Sequence, residues 1–374
     1  MLQGADTDTL TYRIAFASLR GMGYDLAQKI LSVIPTEKEY FDIPEKDLQA
    51  LLQSKVKITE RNYRLEQLDK ARKEMEFVVN NNIHISYFSD EDYPTRLTNT
   101  MDAPILLYSK GNCNLNSSKL ISIVGTRHAT IYGKHFCEAL IRDLKELVEN
   151  FVIVSGLAYG IDICAHRAAL SNGIPTVAVL AHGLNTIYPA THRKDAVEMV
   201  RGNGMLVTDY RSCDKIHPGN FVARNRIVAG LSDCTVVIES AEKGGSLITA
   251  GIASSYNRDV FALPGRANDI YSRGCNKLIR NNSASLITSA EELVSAMRWD
   301  TIKSPVAAKQ MKMFADITPE EQPIVDYLRE NNESHINVLC NTLGIPMSQL
   351  MNSLIELEFK GIVGSLPGAK YTLL

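Results

Sequence analysis

The chain of 374 residues lacks any apolar run approaching the roughly 18 residues that a membrane-spanning helix requires. Its opening stretch has neither the basic start nor the apolar segment of a secretory signal. Cysteine is sparse: seven residues, an odd number, widely spaced and with no C-x-x-C pair. That excludes a disulfide framework and a zinc ribbon, and predicts reduced thiols, a cytoplasmic location and no metal. Neither sign of charge dominates, with 40 Lys+Arg against 42 Asp+Glu and a net charge of −2. Bulk charge therefore marks neither a nucleic-acid binder nor a membrane binder, and any anion site must arise from local placement. Repeats and low-complexity segments are missing as well.

Several catalytic and nucleotide signatures are also absent. Gly125 and Gly133-Lys134 are too far apart for a phosphate-binding P-loop, and His135 follows where Ser or Thr belongs. No G-x-G-x-x-G follows the first strand of the central region, so no dinucleotide cofactor is expected. Ser155 lacks the G-x-S-x-G frame, because Ile153 stands in the first glycine position. No H-E-x-x-H spacing occurs. His166 and His182 have no partner at a fixed spacing and read as buried or capping histidines. Asp162, just after Gly160-Ile161, reads as a loop brace.

What remains is an ordinary globular composition, 45% hydrophobic and 22% charged, long enough for two or three domains. Residues 1–90 show helical periodicity: helices over 10–19 and 24–34 around Gly21-Met22-Gly23, and a charged helix over 59–80, with no strand before Ile83. From Lys119 short β-rich runs alternate with helices, at 120–124, 152–154, 176–180, 205–207, 235–238, 260–262 and 285–287. Near-continuously apolar strands belong to a parallel sheet covered on both faces. The fold class is therefore α/β, a doubly wound core over 91–298. Residues 299–318 read as a linker. Residues 319–374 read as three helices and a terminal hairpin, the pattern of a winged helix. Its third helix, 347–360, carries Lys360 against Glu356 and Glu358, so a DNA role and a protein-docking role stay equally open.

Ligands of open parallel sheets bind beyond the carboxyl ends of the strands. Those ends deliver Gly125-Thr126-Arg127, Ser155-Gly156, His182-Gly183 with Tyr188-Pro189, Lys243-Gly244-Gly245-Ser246, and Pro264-Gly265-Arg266. Fifteen of the 23 glycines fall between Lys119 and Trp299. Glycine at such turns lets backbone N–H groups approach an anion. The same segment holds 20 Lys+Arg and 16 Asp+Glu, so it is basic within a nearly neutral chain. Arg127, Arg193, Arg224, Arg226, Lys243 and Arg266 lie in or beside these loops, a distribution that suits a polyanion better than one phosphate. Phe221, within Asn220-Phe221-Val222-Ala223-Arg224-Asn225-Arg226, pairs an aromatic with arginines, as stacking on an unpaired base requires. A plain core phenylalanine at a helix start is the alternative.

In order along the chain stand Val124-Gly125-Thr126-Arg127, Ser155-Gly156-Leu157-Ala158-x-Gly160-Ile161-Asp162, Phe221-x-x-Arg224-Asn225-Arg226, Gly245-Ser246-Leu247-Ile248-Thr249-Ala250 and Gly274-Cys275-Asn276. Together they resemble the DNA-processing protein A family, DprA or Smf, over about residues 93–288. The resemblance implies an extended Rossmann-like core with a sterile-alpha-motif-like (SAM-like) helical domain in front and a winged-helix-like domain behind. It implies a non-enzymatic, homodimeric protein that binds and protects single-stranded DNA and helps load the recombinase RecA during natural transformation. The site it implies takes in Gly125, Thr126, Arg127, Ser155, Gly156, Arg193, Asn220, Phe221, Arg224, Asn225, Arg226, Lys243, Gly244, Gly245, Ser246 and Arg266. Asp209-Tyr210 and Lys243 depart from residues common in that family.

A second reading is a Rossmann-like hydrolase that cleaves nucleotides at the base–ribose bond, since Lys243-Gly244-Gly245-Ser246 resembles part of such a turn. Residues 246–251 hold no carboxylate for the acid–base work this would need. A third is a docking protein with a vestigial pocket.

Overall fold

Strands covered on both faces are mostly apolar, and every residue of Phe151–Ser155, Thr176–Val179 and Cys234–Val237 is buried, with Ser155, Thr176 and Thr235 the polar members. The computed structural model describes residues 4–53, 55–116, 119–299, 317–366 and 368–373. The chain separates into two units, Met1–Ile302 and Lys303–Leu374. The expected linker falls mainly on 300–316, outside the described residues.

The first unit is built on nine strands: β1 (His84–Tyr87), β2 (Leu106–Gly111), β3 (Lys119–Val124), β4 (Phe151–Ser155), β5 (Thr176–Val179), β6 (Met205–Thr208), β7 (Cys234–Val237), β8 (Asp259–Ala262) and β9 (Ser285–Leu286). Their spatial order is β1-β2-β6-β5-β4-β3-β7-β8-β9. From β6 to β9 all neighbours are parallel, whereas β1–β2 and β2–β6 are antiparallel. The chain thus winds outward from β3 through β4 and β5, then returns to the other side of β3 as β7. That reversal is the topological switch point where open sheets bind ligands.

Alternation along each strand feeds two cores. Ile121, Ile123, Ile153 and Val236 pack under the helices 131–147, 161–171 and 290–296. Leu120, Val152, Val154 and Val237 pack under the helices 218–231 and 245–255. The helix starts are chemically marked. The Thr130 side chain accepts from Gly133 N–H, and His217 Nδ1 accepts from Gly219 N–H just ahead of Pro218.

Among the described residues five α-helices precede the sheet, Gly4–Ala17, Tyr24–Leu31, Glu37–Asp42, Glu45–Leu51 and Arg61–Asn80. The two short middle ones were not expected. Their core of Phe16, Tyr40, Leu48, Leu68 and Met75 runs on into Ile85, Tyr87, Leu106 and Tyr108 of β1 and β2. The helices are therefore packed against the antiparallel edge of the same sheet.

The second unit has helices Gln322–Asn331, Ile336–Leu343 and Met347–Phe359 with β10 (Glu333–His335), β11 (Val363–Leu366) and β12 (Lys370–Leu373), ordered β10-β12-β11 and antiparallel. Its core holds Ile324, Leu328, Leu339, Leu350, Leu354 and Val363. The buried Glu321 carboxylate accepts from Lys360 Nζ at 2.7 and 2.8 Å.

Candidate nucleic-acid interface

The loops after β3, β4, β5, β7 and β8 gather at one edge of the sheet around the switch point. Backbone hydrogen bonds lace them together. Thr126 N–H donates to the Glu239 carbonyl at 2.7 Å, and Ile161 N–H to the Thr126 carbonyl at 3.2 Å. Gly160 sits at φ +79° against the Thr126 carbonyl, where a side chain would find neither the conformation nor the space. Asp162 braces the β4 loop, as its position suggested, with Oδ2 accepting from Gly156 and Ala158 N–H at 3.2 and 3.4 Å. Burial pushes its carboxyl above the ordinary value, against the pull of the Arg224 charge.

Phe221 stands half-buried in the first turn of the helix 218–231. Its ring meets Tyr188 edge-on at 5.5 Å between centroids, and the Arg127 guanidinium carbon lies 5.9 Å from its centre. Tyr188 is 49% exposed, and Arg127 is exposed with no carboxylate partner among the described residues. An aromatic ring, a second ring at its edge and an unpaired guanidinium therefore share one patch, although they come from a helix start and two loops far apart in sequence. Arg193, Lys243 and Arg266 are exposed at neighbouring loops, and none of them has an ion-pair partner among the described residues. Gly125, Thr126 and Gly244 are half-exposed and Gly245 is exposed.

Other residues expected at the surface are placed beneath it. Arg224 is only 4% exposed. Its Nη1 donates to the carbonyls of Gly156 and Val179, and its Nε reaches Asn225 Oδ1 at 3.3 Å. Gly156 is needed there, because any side chain would strike this guanidinium. Arg224 is thus a charged floor beneath the β4 loop, not a surface arm. Arg226 turns away to pair with Asp209 at 2.5 Å and to donate to the Asp102 carbonyl. It lines a cavity of about 640 Å³ with the Gly21-Met22-Gly23 turn and Asp102–Leu106. Ser155 is fully buried, its hydroxyl donating to the Ile123 carbonyl at 2.6 Å. The buried Ser246 hydroxyl donates to Ser240 Oγ at 2.8 Å. The Asn220 amide is committed to the carbonyls of Ala181 and Lys215.

His182 and His166 are structural. His182 Nδ1 lies 2.9 Å from the Gly183 carbonyl while Nε2 accepts from Tyr188 N–H, and burial lowers its pKa. His166 is fully buried with Nδ1 2.7 Å from Thr176 Oγ1, and burial brings its pKa down to about 3.

The family model of DNA recombination-mediator protein A matches residues 84–298. The chain belongs to this family. Protein Smf of Escherichia coli is 34% identical over 294 residues, covering 77% of this chain and 76% of that protein. Among solved structures, DNA processing protein A of Streptococcus pneumoniae superposes with a TM-score of 0.59 at 29% identity, over 76% of this chain and 95% of that one. DNA processing protein A of Helicobacter pylori, solved to describe its single-stranded DNA binding mode, gives a TM-score of 0.51 at 30% identity over 57% of this chain and 96% of that one. The family match spans the sheet and every loop of the patch.

Sequence reasoning gave no role to three residues of this edge. The buried Glu239, at the end of β7, accepts from Thr130 N–H at 2.8 Å and Thr130 Oγ1 at 2.5 Å, fixing the start of the helix 131–147. A carboxylate at the carboxyl end of a strand was the available signal. His128 and Tyr271 pair across the rim, and no sequence spacing links them.

Proposed function

We propose that the chain binds single-stranded DNA along this rim, without strong sequence preference and without catalysis. The observation that carries the reading is the Phe221 ring, flanked by Tyr188 and Arg127 at the switch point of the sheet. Unpaired bases stack on such rings whatever their identity, while guanidinium and ammonium groups follow the backbone. Arg127, Arg193, Lys243 and Arg266 are the cations for phosphate; Arg224 acts from below by holding the β4 loop. The H. pylori relative's single-stranded DNA binding supports the same ligand here.

In this reading the protein works in the cytoplasm as a homodimer, protects incoming strands and promotes their loading with RecA during natural transformation. The helices within 1–90 serve as the SAM-like domain, while β1 (His84–Tyr87) belongs to the sheet of the Rossmann-like binding core over 91–298; 299–318 serves as linker and 319–374 as the winged-helix-like domain. Base–ribose cleavage has less support, because the Glu239 carboxylate is occupied with Thr130.

Titration of labelled single- and double-stranded oligonucleotides at two salt concentrations tests the reading. It requires tighter single-strand binding that weakens with salt. Equal affinity for both forms, or none, would overturn it. Incubation with nucleoside monophosphates should release no free base.

A further inference from the structure

We propose that His128 and Tyr271 form a second base-binding site, a clamp that takes one unpaired base on the far side of Arg127 from Phe221. The inference rests on the single-strand reading and extends it to a second contact point. Their rings are 6.1 Å apart and inclined by 27°. Every other ring pair among the described residues is tilted or edge-on, at 49° or more. A separation of 6.1 Å is near the outer limit for two rings that stabilise each other. A flat base seated between them needs about 7 Å between the ring planes, with a contact of about 3.5 Å on each side. Opening the pair to that spacing would exchange one loose ring–ring contact for two close ring–base contacts.

The clamp is built on anchored backbone. The Tyr271 carbonyl accepts from Ser240 N–H at 2.7 Å, and the Ser240 carbonyl accepts from Gly274 N–H at 2.8 Å. Asn276 clasps Gly265, accepting from its N–H at 3.1 Å and donating to its carbonyl at 2.8 Å. His128 N–H donates to Thr126 Oγ1 at 3.1 Å. His128 is exposed and Tyr271 half-exposed. Consecutive Cα atoms are about 3.8 Å apart. Arg127 toward Phe221 and His128 toward Tyr271 therefore place two platforms on either side of one short backbone step. Arg266, five residues before Tyr271, and Arg273, two after it, are exposed and have no ion-pair partner among the described residues. They supply charge for the phosphates of a strand crossing to this side.

A thymidine dinucleotide and an oligothymidylate of about 12 nucleotides separate the two platforms, since two bases joined by one phosphate are too short to occupy both while the longer strand can. Tyr271→Ala should weaken binding of the longer oligonucleotide by about 5- to 30-fold and leave the shorter one, held at Phe221, within about twofold. Tyr271→Phe should restore wild-type affinity, and His128→Ala should reproduce part of the loss. Phe221→Ala, by contrast, should weaken both lengths. Circular dichroism melts establish that each variant is folded, and Tyr271→Leu serves if the alanine variant is not. If folded Tyr271 variants bind both lengths like wild type while Phe221→Ala weakens binding, the clamp is wrong and the single-strand reading stands. A uniform loss at both lengths also overturns the clamp. If neither Tyr271 nor Phe221 matters, the single-strand reading itself is wrong.

Discussion

Replacing Phe221 is the sharpest test of the rim. The ring is half-buried, with its edge against Tyr188 and the Arg127 guanidinium 5.9 Å from its centre. Stacking of a base on such a platform contributes about 1–3 kcal/mol. At about 1.4 kcal/mol per decade, its loss weakens binding by roughly 5- to 150-fold, centred near 30-fold. Two substitutions separate stacking from simple contact. Phe221→Leu keeps apolar bulk but has no aromatic face, so it should lose most of that factor. Phe221→Trp should bind within about threefold of wild type. No charge is removed, so the slope of log affinity against log salt should stay the same in all three proteins. Fluorescence anisotropy of a labelled oligothymidylate across several salt concentrations measures both quantities. Leucine binding as tightly as phenylalanine would refute stacking, and a changed slope would mean that the substitution disturbs the cations.

Other perturbations follow from neighbouring features. Arg127→Ala should lower affinity and flatten the same salt slope by about 0.7, the value of one phosphate contact on a single strand; an unchanged slope removes Arg127 from the contacts. His166 is held neutral down to about pH 3, while the unfolded chain takes up the proton near pH 6.5. The fold therefore loses stability as pH falls below about 6.5, by about 2 kcal/mol at pH 5. Thermal melts at pH 7 and 5 should show a smaller drop for His166→Gln than for wild type; equal drops would contradict it. In the second unit, Lys360→Met strands the buried Glu321 carboxylate and should cost about 2–4 kcal/mol, read as a lower melting temperature for that unit. Burial tends to raise the Glu321 carboxyl, yet hydrogen bonds from Lys360 and Thr318 outweigh it and set its pKa below the ordinary value. Its contribution is complete above the usual carboxylate range and disappears as pH falls through the depressed value.

The strands from Lys119 onward were legible because strands covered on both faces leave little room for polar residues, and their apolar runs stand out. β1 and β2 were not, since their antiparallel pairing depends on helices whose packing the local pattern does not encode. The loops of the site were legible as glycine and arginine at strand ends. The direction of each side chain was not. Phe221, Arg224 and Arg226 looked like one surface, but residues two apart on a helix diverge by about 200°. One guanidinium went under the β4 loop and the other to Asp209, leaving Phe221 at the rim. Helical geometry alone could have separated Arg224 from Arg226. Ser155 and Ser246 sit in conspicuous motifs, yet their hydroxyls are spent on Ile123 and Ser240. Those motifs preserve the shape of the loops.

The return of the chain from β6 to β7 has a mechanical side. Arg127 and Phe221 belong to stretches of polypeptide far apart in sequence that meet at a seam beside β3. A thread laid across that seam works like a suture, tying together two halves that no covalent bond joins at the front. Each occupied molecule is then harder to unravel than an empty one.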